Sequence, residues 1–444
     1  MKKSIFGLLP AALLALCVGC STVKVEQPSG KVWRKGALHN HTLWSDGKSL
    51  PETAVATYKN LGYDFMCISD HNIYPDQELW LPVVAQIGPW PYSLSRAEFE
   101  HANKLMNGNL IYKDISFRRY VRLRTVKELQ EIFDKEDQFL VLPGEEITTS
   151  NLKFEGKLGV YQYHFNVFNL AKNFPALSGK TADETIKVNI EQYKKARSNP
   201  KNSFFMVNHP FAWAWDVDPV AIINNPDVTH VEVCNNGSAI PIFHIYTIEK
   251  FWDFILAHRL DRGYKVVYGT ATDDAHFYIN AVGKNSGNDL GWVMVRCPGK
   301  MTGDSLAQAL NRGDFYSTNG VELETLELDP AAKTLKVKVK AEKNVKYKIH
   351  FIVTKKNFDR SIVYKDYPAK NQRYVRNLPM IPANIGTTAL TVDGIEGAYT
   401  LKDDDLYVRA LIISDKKSRY QSKTYPATER AWTQPLVNKA AEKK

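Results

Sequence analysis

The chain repeatedly places residues of metal-ligand type at the ends of strand-like runs, and this repetition constrains it more than any bulk property. F-M-C-I-S-D-H brings Asp70 and His71, F-L-V-L-P-G-E-E brings Glu145 and Glu146, and Y-Q-Y-H brings His164. F-F-M-V-N-H-P brings His209, and V-V-Y-G-T-A-T-D-D-A-H brings Asp273, Asp274 and His276. A-L-H-N-H-T-L-W-S-D-G opens the series. In it, His39 and His41 flank one position of an extended segment, so both point to the same face, as two ligands of one ion must. Asp46 follows on the loop. Six of the eleven histidines belong to this set. Scattered structural histidines have no reason to prefer strand ends, so the pattern points to a metallohydrolase.

A chain of 444 residues is too long for one ordinary core, and two domains are expected. From Trp33 to about Gly320, short apolar strands alternate with helical stretches, which predicts an α/β fold built from βα units. In a parallel barrel the chemistry-bearing residues then gather at the C-terminal mouth. Ser49, Pro51 and Glu52 predict a capping box for a helix reaching Leu61, and Thr125 with Glu128 predicts a second. A further helix is expected over 245–262 and a strand over 265–268. Residues 75–124 lack clear strand signals and are expected to form an insertion within 33–320: a lid, a binding loop or a small helical cap. From about Val321 the texture changes to alternating strands such as L-K-V-K-V-K and Y-K-I-H-F-I-V. That change predicts a separate all-β sandwich over 321–444.

Apolar residues make up 44% of the chain and charged residues 24%, the balance of a globular protein. The formal charge of +10 includes Lys2, Lys3, Lys443 and Lys444. The Lys-rich alternation of 335–341 reads as the solvated face of a strand, and no nucleic-acid partner is indicated. Residues 1–20 read as an export signal, with Lys2 and Lys3 before an apolar run too short to span a membrane. Gly19, Cys20 and Ser21 resemble a bacterial lipoprotein cleavage site, which makes Cys20 the acylated first residue and anchors the chain at the periplasmic or cell surface. A plain secreted protein is the other reading. Residues 21–32 read as a tether. Cys67, Cys234 and Cys297 are too scattered for a disulfide framework, and Cys67 and Cys234 read as small buried hydrophobes.

The ordered set H-N-H, S-D-G, S-D-H, P-G-E-E-I-T, a lone His, N-H-P and D-D-A-H resembles the motif order of the PHP (polymerase and histidinol phosphatase) superfamily over most of 33–320. N-H-P-F-A-W-A-W, V-E-V-C-N-N-G and G-T-A-T-D-D-A-H are similar to its secreted CehA/McbA-type branch. The resemblance implies a distorted (β/α)7 TIM-like barrel. It also implies metal ligands at His39, His41, Asp46, His71, Glu146, His164, His209, Asp274 and His276. One ion would take His39, His41, Glu146 and Asp274, and Glu146 would bridge to a second that takes His71 and His164. Asp46, His209 and His276 would complete a third site. The implied activity is phosphoester hydrolysis by metal-activated hydroxide at a di- or trinuclear centre.

The residue chemistry agrees with that expectation by a separate route. A His and carboxylate set without thiolate suits two or three divalent ions of Zn, Mn or Fe. Ions roughly 3.5–4 Å apart clamp the oxygens of an in-line displacement. The expected partner is a small-molecule or polymer ester. It would be anionic if the guanidinium groups of Arg118, Arg119, Arg122 and Arg124 face the site, and the alternative for these four is a solvated face. Hydrolysis of a carbamate, amide or carboxylic ester at the same site stays open, as does a surface binding protein with a structural metal. Serine hydrolase and zincin readings lack their motifs. Asp70 and Asp273 are expected to orient a neighbouring His or backbone. Glu232 either lines the pocket or is structural, with Asn235 and Asn236 at the mouth. Trp213 and Trp215 either wall the pocket or pack on its rim. His101, His230, His244, His258 and His350 match no motif and read as surface or core histidines.

Overall fold

Short runs that are wholly or mostly apolar become inner strands. Phe65–Ile68, Phe204–Val207 and His230–Cys234 are buried at every position, as strands covered on both faces must be. The computed structural model describes residues 33–85, 93–154, 158–210, 217–235, 246–278, 287–297, 299–368, 375–420 and 425–438. The leader with Cys20, the tether, Trp213, Trp215, Asn236 and His244 lie outside the described residues.

The protein is mixed α/β. Trp33–Ala37, Phe65–Ile68 and Leu140–Phe154 run parallel, and so do Phe204–Val207, His230–Cys234 and Tyr268–Ala271. Leu158–Phe168 runs antiparallel to both neighbours, and Trp292–Arg296 is antiparallel to Trp33–Ala37 and to Phe315–Thr318. The uniform parallel arrangement expected from the sequence therefore does not hold. Only residues 155–157 separate Leu140–Phe154 from Leu158–Phe168, and a parallel crossover needs a dozen or more.

Among the described residues no backbone ladder closes these strands into a ring. The ends of the arc meet through side chains instead. The Ser317 hydroxyl accepts the Ala271 N–H at 3.1 Å and donates to the Gly269 carbonyl at 2.8 Å, and Gln434 bonds both backbone groups of Gly269.

The sheet does not stop near residue 320. Phe315–Thr318 pairs with Thr428–Thr433, and the path continues through Asp405–Lys417 and Tyr347–Lys355 to Thr387–Asp393 within one 14-stranded sheet. A second sheet of Leu323–Asp329, Thr334–Val339 and Glu396–Thr400 faces it. Leu335 and Val337 from this second sheet share a buried cluster with Phe351, Val408 and Ala410. Helix Ile248–Asp261 ties the two halves together. Its Asp253 meets the fully buried Arg409 through two contacts of 2.7 and 2.8 Å and accepts the Tyr407 hydroxyl, while Glu249 meets Arg430 at 3.0 Å.

The 75–124 insertion holds strands that its sequence did not announce. Trp80–Val84, Leu94–Ser95, Tyr112–Ile115 and Arg118–Arg122 form a small four-stranded sheet beside helix Arg96–Leu105. They are two to five residues long and, apart from the exposed Tyr112–Ile115, mostly half-buried, too short to give a period-two signal. The Ser49–Glu52 capping box is absent. Leu50 is the N-cap of helix Pro51–Asn60, its N–H goes to Glu98, and Glu52 pairs with Arg124 at 3.0 Å. The Thr125–Glu128 box is present. The later helix spans Ile248–Asp261, and the strand expected at 265–268 begins at Tyr268.

Candidate metal centre

His39 and His41 lie just past Trp33–Ala37, where the chain stays extended. Asn40 between them turns away to the Cys67 carbonyl, while the Nε2 atoms of His39 and His41 converge to 3.1 Å. Glu146, on Leu140–Phe154, is the hub. Its Oε2 accepts no hydrogen bond and faces His39 Nε2 at 3.2 Å, His41 Nε2 at 3.1 Å and His71 Nδ1 at 3.1 Å. Its Oε1 faces His164 at 3.1 Å and His209 at 3.6 Å. Asp274 enters from the opposite side, its Oδ1 3.1 Å from His41 Nε2 and 3.4 Å from His39 Nε2. Its backbone is left-handed, with φ of 52°, a conformation Asp tolerates better than most residues.

Asp46 reaches the cluster on a loop that folds tightly back. A Cβ at Gly47 would lie 2.6 Å from backbone atoms of His41 and Thr42, so only glycine permits the turn. Asp46 Oδ1 stands 3.2 Å from His276 Nε2 and 3.6 Å from both His41 and His71.

All nine residues singled out by the resemblance come together, but they group differently from what it implied. Donor atoms within 4.8 Å of one another form three groups: His39, His41 and Glu146; His71, Glu146 and His164; and His41, Asp46, His71 and His276. The third combines Asp46 and His276 with His41 and His71. His209 stands on the other side, near Glu146 and 3.9 Å from Asp274, so the trio Asp46, His209 and His276 is not assembled. His164 approaches from mid-strand on the antiparallel partner, opposite Thr148, and not from a parallel strand end.

This donor set fits divalent ions. Nitrogen and oxygen donors at about 2.0–2.1 Å from one ion stand roughly 2.9–3.4 Å apart, the spacing seen among His39, His41, Glu146 and Asp274. The electrostatics agree. Burial disfavours a charged His41, yet the carboxylates of Asp274 and Glu146 beside it outweigh that and push the imidazole up to about 10. Burial likewise opposes charge on Glu146, but His39, His71 and His164 hold its carboxyl well below the usual range. The acids favour a cation there, and without a metal His39 and His41 supply it as protons. At His71 burial wins over the Glu146 charge, and the ring is pushed down to about 4.

A further shell holds these donors in place. Glu232 is fully buried. Its Oε1 accepts His39 Nδ1 at 2.7 Å and the Thr272 hydroxyl at 2.6 Å, and its Oε2 accepts the His209 N–H at 2.7 Å and Asn235 at 2.9 Å. It thereby fixes the tautomer that leaves His39 Nε2 free to ligate. Asn208 donates to Glu146 at 2.8 Å and to Asn166 at 2.9 Å. Asn72 clamps the backbone of Thr148 through two bonds of 2.8 Å. Asp70 takes the Thr42 N–H and hydroxyl, and Asp273 takes three backbone N–H groups of 289–291.

The roles of Glu232, Asn208 and Asn72 were not evident in the sequence. The one available signal was position, because Asn208 and Asn72 each adjoin a candidate ligand and Glu232 sits between Val231 and Val233 in a strand-like run. Arg119, Arg122 and Arg124 pair with Asp114, Glu128 and Glu52, and Arg118 lies exposed on the same hairpin; the solvated reading fits Arg118 and Arg119, while Arg122 and Arg124 are mostly covered in structural ion pairs. His230 and His258 are buried and His101 is exposed, as expected for non-ligands. Cys67, Cys234 and Cys297 are free and buried.

No family profile matches the chain, and no curated protein matches it. Among solved structures, it is similar to a two-domain protein from Bacteroides vulgatus described as containing a predicted PHP-like metal-dependent phosphoesterase. That likeness has 15% identity and a TM-score of 0.38, and covers 93% of this chain and 98% of the other. A protein from Bifidobacterium adolescentis, provisionally described as a metal-dependent phosphoesterase, is similar at 14% identity and a TM-score of 0.26, over 59% and 93%. Likenesses at this level carry no argument, and the functional reading rests on the site.

Proposed function

We propose that the chain is a metal-dependent hydrolase of PHP type, of the CehA/McbA-like branch, acting on phosphoesters at a centre of two or three divalent ions. The observation that carries the reading is Glu146, a buried carboxylate shared between two donor groups, one oxygen turned to His39, His41 and His71 and the other to His164. His39, His41, Glu146 and Asp274 would hold one ion, Glu146 with His164 and His209 a second, and Asp46, His71 and His276 a third, so that each neutral ring, with one nitrogen lone pair to give, serves one ion. Bound ions supply a water nucleophile of lowered pKa and neutralise charge on the ester. The chain itself orients the donors through Glu232, Asn208 and Thr148, whose hydroxyl meets His71 Nδ1, and presents them at an opening where Asp46, His71 and His276 are partly exposed. The strand arc with its linked β half is read as a distorted barrel and sandwich. Residues 1–20 are read as a lipoprotein leader that places Cys20 at a membrane.

The test is hydrolysis of aryl phosphate mono- and diesters, beside an aryl carbamate and an aryl carboxylate ester, by the Mn- or Zn-loaded protein and its Glu146→Gln variant. Phosphate ester turnover lost in the variant supports the reading. Turnover confined to the carbonyl substrates replaces phosphoesterase by carbamate or ester hydrolase. Silence on all four with metal bound refutes hydrolysis of these ester classes.

A further inference from the structure

Asp46 is the least supported of the nine donors. It is 46% exposed, and within its own loop only the Ser45 hydroxyl bonds it, at 3.4 Å. Glu146, by contrast, is buried and braced by Asn208. The position of Asp46 therefore depends on what holds residues 42–50. On the strand side, His41 N–H bonds the Ala275 carbonyl and Lys48 N–H the His276 carbonyl, each at 2.8 Å. On the other side stands the inserted lobe. Leu43, Trp44 and Leu50 are members of the lobe's own apolar cluster, with Leu81, Phe99 and Val121. Trp44 Nε1 donates to the Arg124 carbonyl at 3.1 Å. Glu98, fully buried on the lobe's helix, places one oxygen where the Leu50 N–H donates at 2.9 Å and the Thr53 hydroxyl at 2.7 Å. The helix that follows the loop has no cap of its own, so the lobe supplies one from a distance in sequence.

We propose that the inserted lobe, through Glu98, holds the loop that carries Asp46 and so completes the His41, Asp46, His71 and His276 group, with Glu98 as a positioning residue for one ion of the centre. The inference rests on the metal reading above. It assigns the lobe a part in metal occupancy at one position, whereas His39, Glu146, His164 and Asp274 are held by the strand arc and do not depend on it.

The experiment is calorimetric titration of Zn into the metal-free full chain, with ions per chain counted by native mass spectrometry, for wild type, Glu98→Ala, Glu98→Gln and Asp46→Asn. Glu98→Ala is expected to weaken the last-bound ion tenfold or more and leave the tighter ions unchanged, the pattern of Asp46→Asn. Glu98→Gln, which keeps a carbonyl oxygen for Leu50 and Thr53, is expected to restore binding. Wild-type occupancy and affinity in Glu98→Ala, or equal weakening of every ion, overturns the proposal. If Glu98→Ala does not fold, Thr53→Val loosens the same clasp and is read the same way. If wild type binds no ion, the metal reading itself fails. Hydrogen exchange of residues 42–50 then decides the structural claim, and unchanged protection in Glu98→Ala refutes it.

Discussion

Glu232→Gln exchanges one oxygen for an amide in a fully buried position where both carboxylate oxygens are engaged. Oε1 serves His39 Nδ1 and Thr272, and Oε2 serves the His209 N–H and Asn235. The amide nitrogen must therefore face two donors whichever way it turns. Turned toward the His209 N–H, it meets a backbone donor that cannot reverse, which leaves buried groups unpaired at about 1–3 kcal/mol. Turned toward His39, it forces the ring to accept at Nδ1 and carry its proton on Nε2, the atom that faces His41, Glu146 and Asp274. A protonated Nε2 cannot ligate. Losing such an orienting carboxylate typically costs 10–100-fold in metal affinity, or roughly 1.4–2.8 kcal/mol. Titration of Zn against a competing chromophoric chelator reads the change directly, with circular dichroism confirming the fold. The expected result is a loss within that range for the ion nearest His39. Wild-type affinity and stoichiometry in Glu232→Gln would refute the reasoning, because His39 would then need no partner to fix its tautomer.

Two further outcomes follow from buried charge. Asp253→Ala strands Arg409 inside the junction between helix Ile248–Asp261 and the C-terminal strands. Urea unfolding should show a loss of about 3–5 kcal/mol, and a loss under 1 kcal/mol would mean that Arg409 finds other compensation. Burial pushes the Glu98 carboxyl up from 4.5 to about 7. The folded state then holds a proton that the unfolded state releases, so this group's contribution is complete below about pH 4.5 and is lost as pH rises through about 7. Relative to wild type, Glu98→Gln should gain up to about 3 kcal/mol between those limits in urea melts, and a pH-independent difference would refute the assignment.

Much of the site was legible because ligands must converge. His39 and His41 announce a shared face through their spacing alone, and Glu146, His209 and Asp274 each close an apolar run. What the sequence did not show is how the donors pair in space. His41 and His71 each belong to two groups because their rings sit between Glu146 and Asp46, a relation that depends on loop geometry around Gly47 and not on order along the chain. Strand direction was obscure for a similar reason. Leu158–Phe168 has the same composition whether it pairs parallel or antiparallel, and only the short connection at 155–157 settles it. The Ser49–Glu52 motif misled because a better partner lies in the inserted lobe. Glu98 takes the Leu50 N–H and Arg124 takes Glu52, contacts that no local pattern announces.

The continuity of the sheet across residue 320 bears on how the protein is made. Phe315–Thr318 joins its Ser317 hydroxyl to Gly269 and Ala271 on one side and pairs with Thr428–Thr433 on the other. A nascent chain that has emerged only as far as residue 320 carries every candidate metal donor, but this strand still shows unpaired backbone donors and acceptors along one edge. Such an edge is a template for intermolecular pairing. Contacts so far apart in sequence form late, so the half that carries the candidate donors is exposed to aggregation until residue 433 has been synthesised and has returned to it. A fragment ending near residue 320 would keep that vulnerability permanently, and the tail of this protein therefore acts as the guard of its first half.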